Sequence, residues 1–386
     1  MRILFLLNRY PGIGGIENIT SFLSRLFKSE LGHHISIFSV VSQQKVDIPI
    51  TVRQDDIPVI ISNSAKQSEI IQSFTECLNN NSPEIVIFQD SYAEIEYLLN
   101  YVDEATKIFV VEHNTPDCLL KGYMNYIRSL KWCSFKGSVR KLLYPLIYLR
   151  ILFHQQKRHK KLVDLSNRYI LLSESYKEVL KSYYNIVSDK IIAIPNIKND
   201  YGLDANVRLL DKKKQVLFVG RLNPQKGLDH LLEVWQMIDN SLPDFKLIVI
   251  GDGEEREMFD RAVKENNLKN VNCIGYIDNV YDYYIESTAI FMTSNFEGLP
   301  LVLSEAMQFG VVPFVYDTFS SVYDIISDSN NGYIIPPFNK KEFLARFIHF
   351  ISLTQDSQLQ MRINAITSSE RFSARNVLQA WKNILL

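Results

Sequence analysis

The feature that most restricts the fold is a repeated alternation along the 386 residues: a short β-rich apolar run, then a stretch with helical patterning. Such alternation implies parallel sheets joined by crossover helices. In the first half the strand-like runs are 3–8, 35–41, 85–89, 108–112, 169–173 and 191–195; in the second they are 216–220, 246–251, 271–276, 289–293, 312–316 and 332–335. Their near-continuous apolar character marks strands covered on both faces. The length suits two domains rather than one.

Composition excludes several classes. Hydrophobic residues are 46% and charged residues 22%, as in a folded globular chain. A net charge of −1 gives no global reason to expect nucleic-acid binding. The four cysteines, Cys77, Cys118, Cys133 and Cys273, form no C-x-x-C pair, which points to reduced thiols and a cytoplasmic setting rather than a disulfide framework. The N-terminal apolar run stops at Asn8 and Arg9, so a buried first strand fits better than a signal sequence. No stretch approaches the ~20 apolar residues needed to span a bilayer.

Segment 197–214 lacks periodicity and carries Gly202 and the charge run Asp211 to Lys214, which marks a linker. The expected organisation is a Rossmann-like domain over 1–196, with a basic arm at 118–163, and a second Rossmann-like domain over 215–370. A C-terminal helix over 371–386 is free to pack back on the first domain. The fold class is α/β, with two doubly wound domains facing a central cleft.

Two motifs carry the chemistry. Residues 220–227, GRLNPQKG, follow an apolar strand and precede an amphipathic helix. Arg221 at the strand's carboxyl end suits phosphate oxygens through its planar fork, and Lys226 adds a point charge near the helix start. Residues 296–310, FEGLPLVLSEAMQFG, set Glu297 and Glu305 eight positions apart, around Gly298 and Pro300. Gly298 permits close backbone approach to a ligand, so the Gly298 and Leu299 amides suit the same diphosphate. The carboxylates suit vicinal hydroxyls.

These motifs resemble the two hallmarks of family-four retaining glycosyltransferases (glycosyl transferases group 1), which have the GT-B fold; the second contains that family's Glu-x7-Glu pattern. The likeness is strong over about 215–335 and looser before it. It implies diphosphate contacts from Arg221 and Lys226, transferred sugar on Glu297 and ribose on Glu305. It also implies a nucleotide pocket lined by Gly253, Tyr276 and Ile277. The first glycine turn, with Gly14 and Gly15, resembles a loop closing over the donor phosphates, and His113, just past a strand, resembles a donor-sugar contact. On this reading Glu297, Arg221, Lys226 and His113 form the catalytic group. One departure is the lack of a glycine near Thr318 to Ser321, where Phe319 is expected to narrow the pocket.

The activity implied is transfer of a hexose, with retention, from a nucleoside diphosphate sugar to a glycan or lipid-linked acceptor in surface polysaccharide assembly. UDP is the expected nucleotide. The absence of any Asp-x-Asp triplet agrees with no metal and no cofactor. A nucleotide-sugar epimerase and a non-catalytic nucleotide-sugar-binding protein are the rival readings. An NAD-dependent oxidoreductase would rest on the Gly12 turn alone, where Glu17 stands in place of a third fingerprint glycine. The six remaining histidines, His159 among them, read as solvated or capping. Finally, 118–163 holds eleven Lys or Arg and no Asp or Glu, with interleaved aromatics. That pattern suits peripheral attachment to an anionic membrane surface, with no nucleic-acid partner.

Overall fold

The computed structural model describes residues 1–12, 15–41, 56–89, 95–129, 142–199, 201 and 209–385. They divide into two compact units, Met1–Asn196 with Leu378–Leu386, and Ile197–Val377. Gly14, Cys133, Trp132 and Phe135, with the rest of 130–141, lie outside the described residues, as do 200 and 202–208 of the linker segment.

In the first unit, seven strands are described: β1 (Arg2–Arg9), β2 (His34–Val41), β3 (Val59–Ile61), β4 (Ile85–Phe88), β5 (Lys107–Glu112), β6 (Arg168–Leu171) and β7 (Ile191–Ala193). They form one parallel sheet in the order β3-β2-β1-β4-β5-β6-β7. In the second unit, β8 (Lys213–Val219), β9 (Lys246–Ile250), β10 (Val271–Gly275), β11 (Ser287–Met292), β12 (Val312–Tyr316) and β13 (Tyr333–Ile335) form a parallel sheet ordered β10-β9-β8-β11-β12-β13. All twelve predicted runs carry a strand. The thirteenth, β3, lies at a sheet edge with its three residues half-buried or exposed, so it presents no apolar run to read.

Two central strands of the second unit show why near-continuous apolar runs were required: β11 and β12 are buried at every position. Helix Lys340–Ser352 covers one face. Its Phe343, Phe347 and Phe350 recur at i, i+4 and i+7, one helical stripe. Phe343 and Phe347 meet the Phe291 ring at 4.8 and 5.2 Å, and Phe314 stacks on Tyr333 at 4.7 Å. Full burial of each such ring is worth about 1.5–3 kcal/mol. The helix starts at Asn339, whose side chain accepts from the Glu342 amide, an N-cap followed three residues later by Glu.

In the first unit, helix Tyr144–Leu165 buries Gln155, His159, Leu162 and Val163. His159 is therefore neither solvated nor a cap. Its Nδ1 lies 2.9 Å from Tyr169 Oη, which donates to Glu112 Oε2, and its Nε2 lies 3.3 Å from the Pro116 carbonyl. Burial pushes the imidazole down to about 3. Around neutral pH it is an uncharged core histidine. Helix Ala374–Leu385 carries Trp381, whose ring meets Phe27 at 5.4 Å.

The loops after β8 and β9 pack so closely that one residue between them has no room for a side chain. Gly251 has φ +139°, and a Cβ there would lie 1.9 Å from the Gly220 carbonyl oxygen. Gly251→Ala should lower stability by about 3 kcal/mol or more, read from urea midpoints. A loss below about 1 kcal/mol would mean that the loops part easily.

Candidate active site

Each sheet reverses its strand order about a central pair, β1/β4 in the first unit and β8/β11 in the second. Crossovers leave such a pair toward opposite faces, opening a crevice beyond the carboxyl ends of the strands where ligands bind. In the second unit two loops leave this point, 220–227 after β8 and 293–300 after β11, and a set of hydrogen bonds joins them. Asn295 donates from its backbone N to Gln225 O at 2.7 Å and from Nδ2 to Pro224 O at 2.7 Å. Thr293 Oγ1 donates to Gly227 O at 3.0 Å, and Gln225 Nε2 to Phe296 O at 3.1 Å. Gly227, with φ +61°, makes the approach possible: a Cβ there would fall 2.3 Å from Thr293 O.

At the centre Lys226 Nζ donates to Glu297 Oε1 at 2.7 Å, with side chains only 17% and 6% exposed. Ser294 Oγ also donates to Oε1 at 2.6 Å, and Gln225 Nε2 to Oε2 at 3.3 Å. The sequence reading treated cation and carboxylate as separate ligand groups; here they form one buried ion pair. Breaking such a pair from one side leaves an uncompensated charge out of water. An incoming anion would compete with Glu297 for Lys226, leaving Glu297 the Ser294 and Gln225 donors.

Arg221 is exposed and has no hydrogen bond or ion pair with any described residue. Beside it, Leu222 N donates to Asp252 O, and Glu255 N to Leu222 O, each at 3.0 Å. This pairing brings Gly253 against the Leu222 backbone. Gly251 N donates to Gly275 O at 2.8 Å, extending the rim to Tyr276 and Ile277, where Tyr276 is 68% exposed. The Gly298 and Leu299 amides find no acceptor among the described residues. Pro300 then caps the short helix Leu301–Met307. Ser321 Oγ donates to Gly298 O at 2.5 Å and Thr318 Oγ1 to Ser294 O at 2.7 Å. Phe319, expected to narrow the pocket, is instead buried at 2% exposure. Two hydroxyls of that loop brace the Glu297 segment.

Glu305 lies on the same short helix and is held from the linker side. Asn199 Nδ2 donates to its Oε1 at 2.8 Å, and Tyr284 Oη to its Oε2 at 3.2 Å. Tyr201 packs its ring against Tyr281, Tyr284 and Phe309 at 5.9, 6.2 and 5.8 Å, and buried Lys198 donates to Gln308 Oε1. Linker composition carries no sign of this docking, so sequence reasoning missed Asn199; Tyr284, on the short helix Tyr281–Glu286, belongs to neither motif.

In the first unit, His113 follows β5 directly and its Nε2 lies 2.6 Å from Gln89 Oε1, at the carboxyl end of β4. Burial pushes His113 down to about 4. Gly15 opens helix Gly15–Ser29 and is exposed. Gln89 was legible only as the last residue of its predicted run.

A pair of doubly wound units, each with its switch point at the carboxyl edge, defines a GT-B glycosyltransferase fold. Anabaena HepE, solved in complex with UDP, matches the chain with a TM-score of 0.72 at 14% identity, over 100% of this chain and 99% of that one. Residues 203–368 match the family described as glycosyl transferases group 1. Among sequence relatives, the amylovoran biosynthesis glycosyltransferase AmsD of Erwinia amylovora is 23% identical over 100% of this chain and 99% of that protein. An uncharacterized glycosyltransferase of Haemophilus influenzae is 30% identical, over 58% of this chain and 62% of its own length.

Burial pushes the Glu305 carboxyl above its ordinary 4.5, against the opposing pull of the Asn199 and Tyr284 hydrogen bonds and the Lys198 charge. The native state thus binds this proton more tightly than the unfolded chain does. Its stabilising contribution is complete below 4.5 and is lost as pH rises through the raised value. Urea unfolding of wild type and Glu305→Gln between about pH 4.5 and about pH 8 should show wild type losing ground as pH rises, then levelling. A difference constant with pH would contradict this.

Proposed function

We propose that this chain transfers a hexose from a nucleoside diphosphate sugar, with UDP as the nucleotide, to a hydroxyl of a glycan or lipid-linked acceptor in surface polysaccharide assembly. The observation that carries the reading is the Lys226–Glu297 pair at the β8/β11 switch point, beside an uncommitted Arg221. The diphosphate takes the cations: Arg221 by its fork and Lys226 by moving from Glu297 to a phosphate oxygen, with the open Gly298 and Leu299 amides alongside. The released Glu297 then accepts from the hexose hydroxyls, so donor binding itself uncovers the sugar-binding group. Glu305, steered by Asn199 and Tyr284, accepts from the ribose, and the rim of Gly253, Tyr276 and Ile277 takes the nucleoside. In the first unit, neutral His113 at the carboxyl end of β5 suits a sugar hydroxyl.

The acceptor hydroxyl attacks the anomeric carbon on the face that the leaving group departs. The bond from that carbon to the phosphate oxygen breaks, and the leaving phosphate takes the hydroxyl proton. Configuration is retained. Charge growing on the diphosphate is met by groups already in place, so stabilisation is greatest in the transition state. These groups do the work of a divalent ion, and no metal or cofactor is required. The UDP complex of HepE and the biosynthetic role in AmsD's name support the choice of nucleotide and setting.

The chain meets its acceptor at a membrane surface. Leu142, Leu146, Leu149 and Phe153 are 81, 67, 45 and 63% exposed and spaced by four, three and four residues. That spacing is one stripe of helix Tyr144–Leu165 and its lead-in. The segment's eleven cations and absent acids suit anionic lipid, near which each cation is worth about 1 kcal/mol. No helix among the described residues is long and apolar enough to cross a membrane.

Thermal shift with UDP, GDP, ADP and their hexose conjugates, with EDTA present, tests the donor site. Ligand at ~100 Kd stabilises by about 2.7 kcal/mol. UDP compounds should raise the melting temperature, and Arg221→Ala should abolish the rise; no shift with any nucleotide would sink the donor assignment. In liposome flotation, vesicles containing phosphatidylglycerol should capture the protein and neutral vesicles should not. Leu146→Glu with Phe153→Glu should release it, and capture unaffected by lipid charge or by these changes would refute the membrane face.

A further inference from the structure

A cavity opens at the amino edge of the first sheet, the end away from that sheet's crevice. Its volume is about 530 Å³, within the range of small-molecule sites. Arg2 at the start of β1 and His34 and Ser36 at the start of β2 line it, and Arg2 pairs in register with His34. Lys28, in the last turn of helix Gly15–Ser29, His33 and Asp56 add to the wall. Because β1 is eight residues long, this edge lies roughly 20–25 Å from the strand's carboxyl end. An occupant here is a second ligand, apart from any at the crevice.

The wall has hydrogen-bond donors to spare. Ser36 is 6% exposed, and its hydroxyl has no hydrogen-bond partner among the described residues. A hydroxyl so placed has given up most of its water for no protein acceptor. Arg2 donates from Nε to Ser82 O at 2.6 Å, and its terminal nitrogens find no acceptor among the described residues. Lys28 Nζ makes one contact of 3.3 Å, to the Asp56 carbonyl, which leaves ammonium hydrogens uncommitted.

Of the permanently charged side chains on the wall, Arg2 and Lys28 are cations and Asp56 is a carboxylate. Glu84 stands nearby, but its Oε2 takes the Arg2 backbone N at 2.7 Å. Burial lowers His33 from its ordinary 6.5, so it adds a neutral imidazole rather than a charge. A guanidinium fork, an ammonium and a buried hydroxyl lining one cavity match a phosphate, whose several oxygens can take all three. A neutral ligand would leave both cations unmatched. The cavity is larger than one phosphate group, and Asp56 is an acceptor suited to hydroxyls on the rest of the ligand.

We propose that this cavity binds a small phosphate monoester carrying hydroxyls: the phosphate meets Arg2, Lys28 and Ser36, and Asp56 accepts from the hydroxyls. The site lies wholly in the first unit and does not depend on which nucleotide the second unit takes.

The test is isothermal titration of the full chain with glucose 1-phosphate, glycerol 3-phosphate and inorganic phosphate, in wild type, Ser36→Ala, Lys28→Gln and Arg221→Ala. At least one ester should bind wild type more tightly than inorganic phosphate does. Ser36→Ala and Lys28→Gln should each weaken that ester about tenfold or more, the scale of a hydrogen bond to a charged group. Both changes are mild for folding, since one removes a single oxygen and the other alters an exposed side chain. Arg221→Ala, in the second unit, should bind the ester as wild type does. Binding lost in Arg221→Ala but kept in the two cavity variants would put the ester in the second unit and overturn the proposal. So would no saturable binding of either ester, equal affinity for ester and inorganic phosphate, or full affinity in both cavity variants.

Discussion

The second unit depends on two loops that leave neighbouring strands and cannot separate. Because β8 and β11 pair at the point where strand order reverses, chain segments some seventy residues apart emerge side by side. The Lys226–Glu297 pair lies at their junction, with backbone and side-chain hydrogen bonds on both flanks. Charge in a poorly solvated site is costly unless matched. The loops therefore hold each other in place through this pair and the hydrogen bonds around it.

The same economy appears at Glu305. Its helix is only seven residues long, and its carboxylate is half-buried. Asn199 and Tyr284 supply the hydrogen bonds, and the ring of Tyr201 packs behind them. Residues that compose a connecting segment are therefore also part of the packing around Glu305. In the first unit Gln89 and His113 make a comparable pair on adjacent strands, there with both groups uncharged.

Much of the fold was legible because strands buried on both faces must be apolar nearly throughout, and twelve such runs stand out. β3 did not, since a three-residue edge strand needs no apolar run. His159 was misread because the surrounding basic residues suggest a solvated helix; only the i, i+4 and i+7 stripe of Gln155, His159 and Leu162 marks its buried face, and a polar stripe is a poor signal. At the site, residue types and spacing named the charged groups but not their pairing. Lys226 and Glu297 are brought together by strand order, which local sequence does not encode. Asn199 was hidden for the converse reason: its segment has the composition of a loop, and Glu305 lies more than a hundred positions away.

That last contact bears on where this protein can be cut. A domain exchange that joined a foreign partner at the first residue of β8 would carry the sheet, both loops and the ion pair. It would leave behind Lys198, Asn199 and Tyr201, and with them the hydrogen bonds to Glu305 and Gln308. A modular seam for grafting this second unit therefore lies at Ile197, where the compact unit begins, and the apparent connector travels with the module.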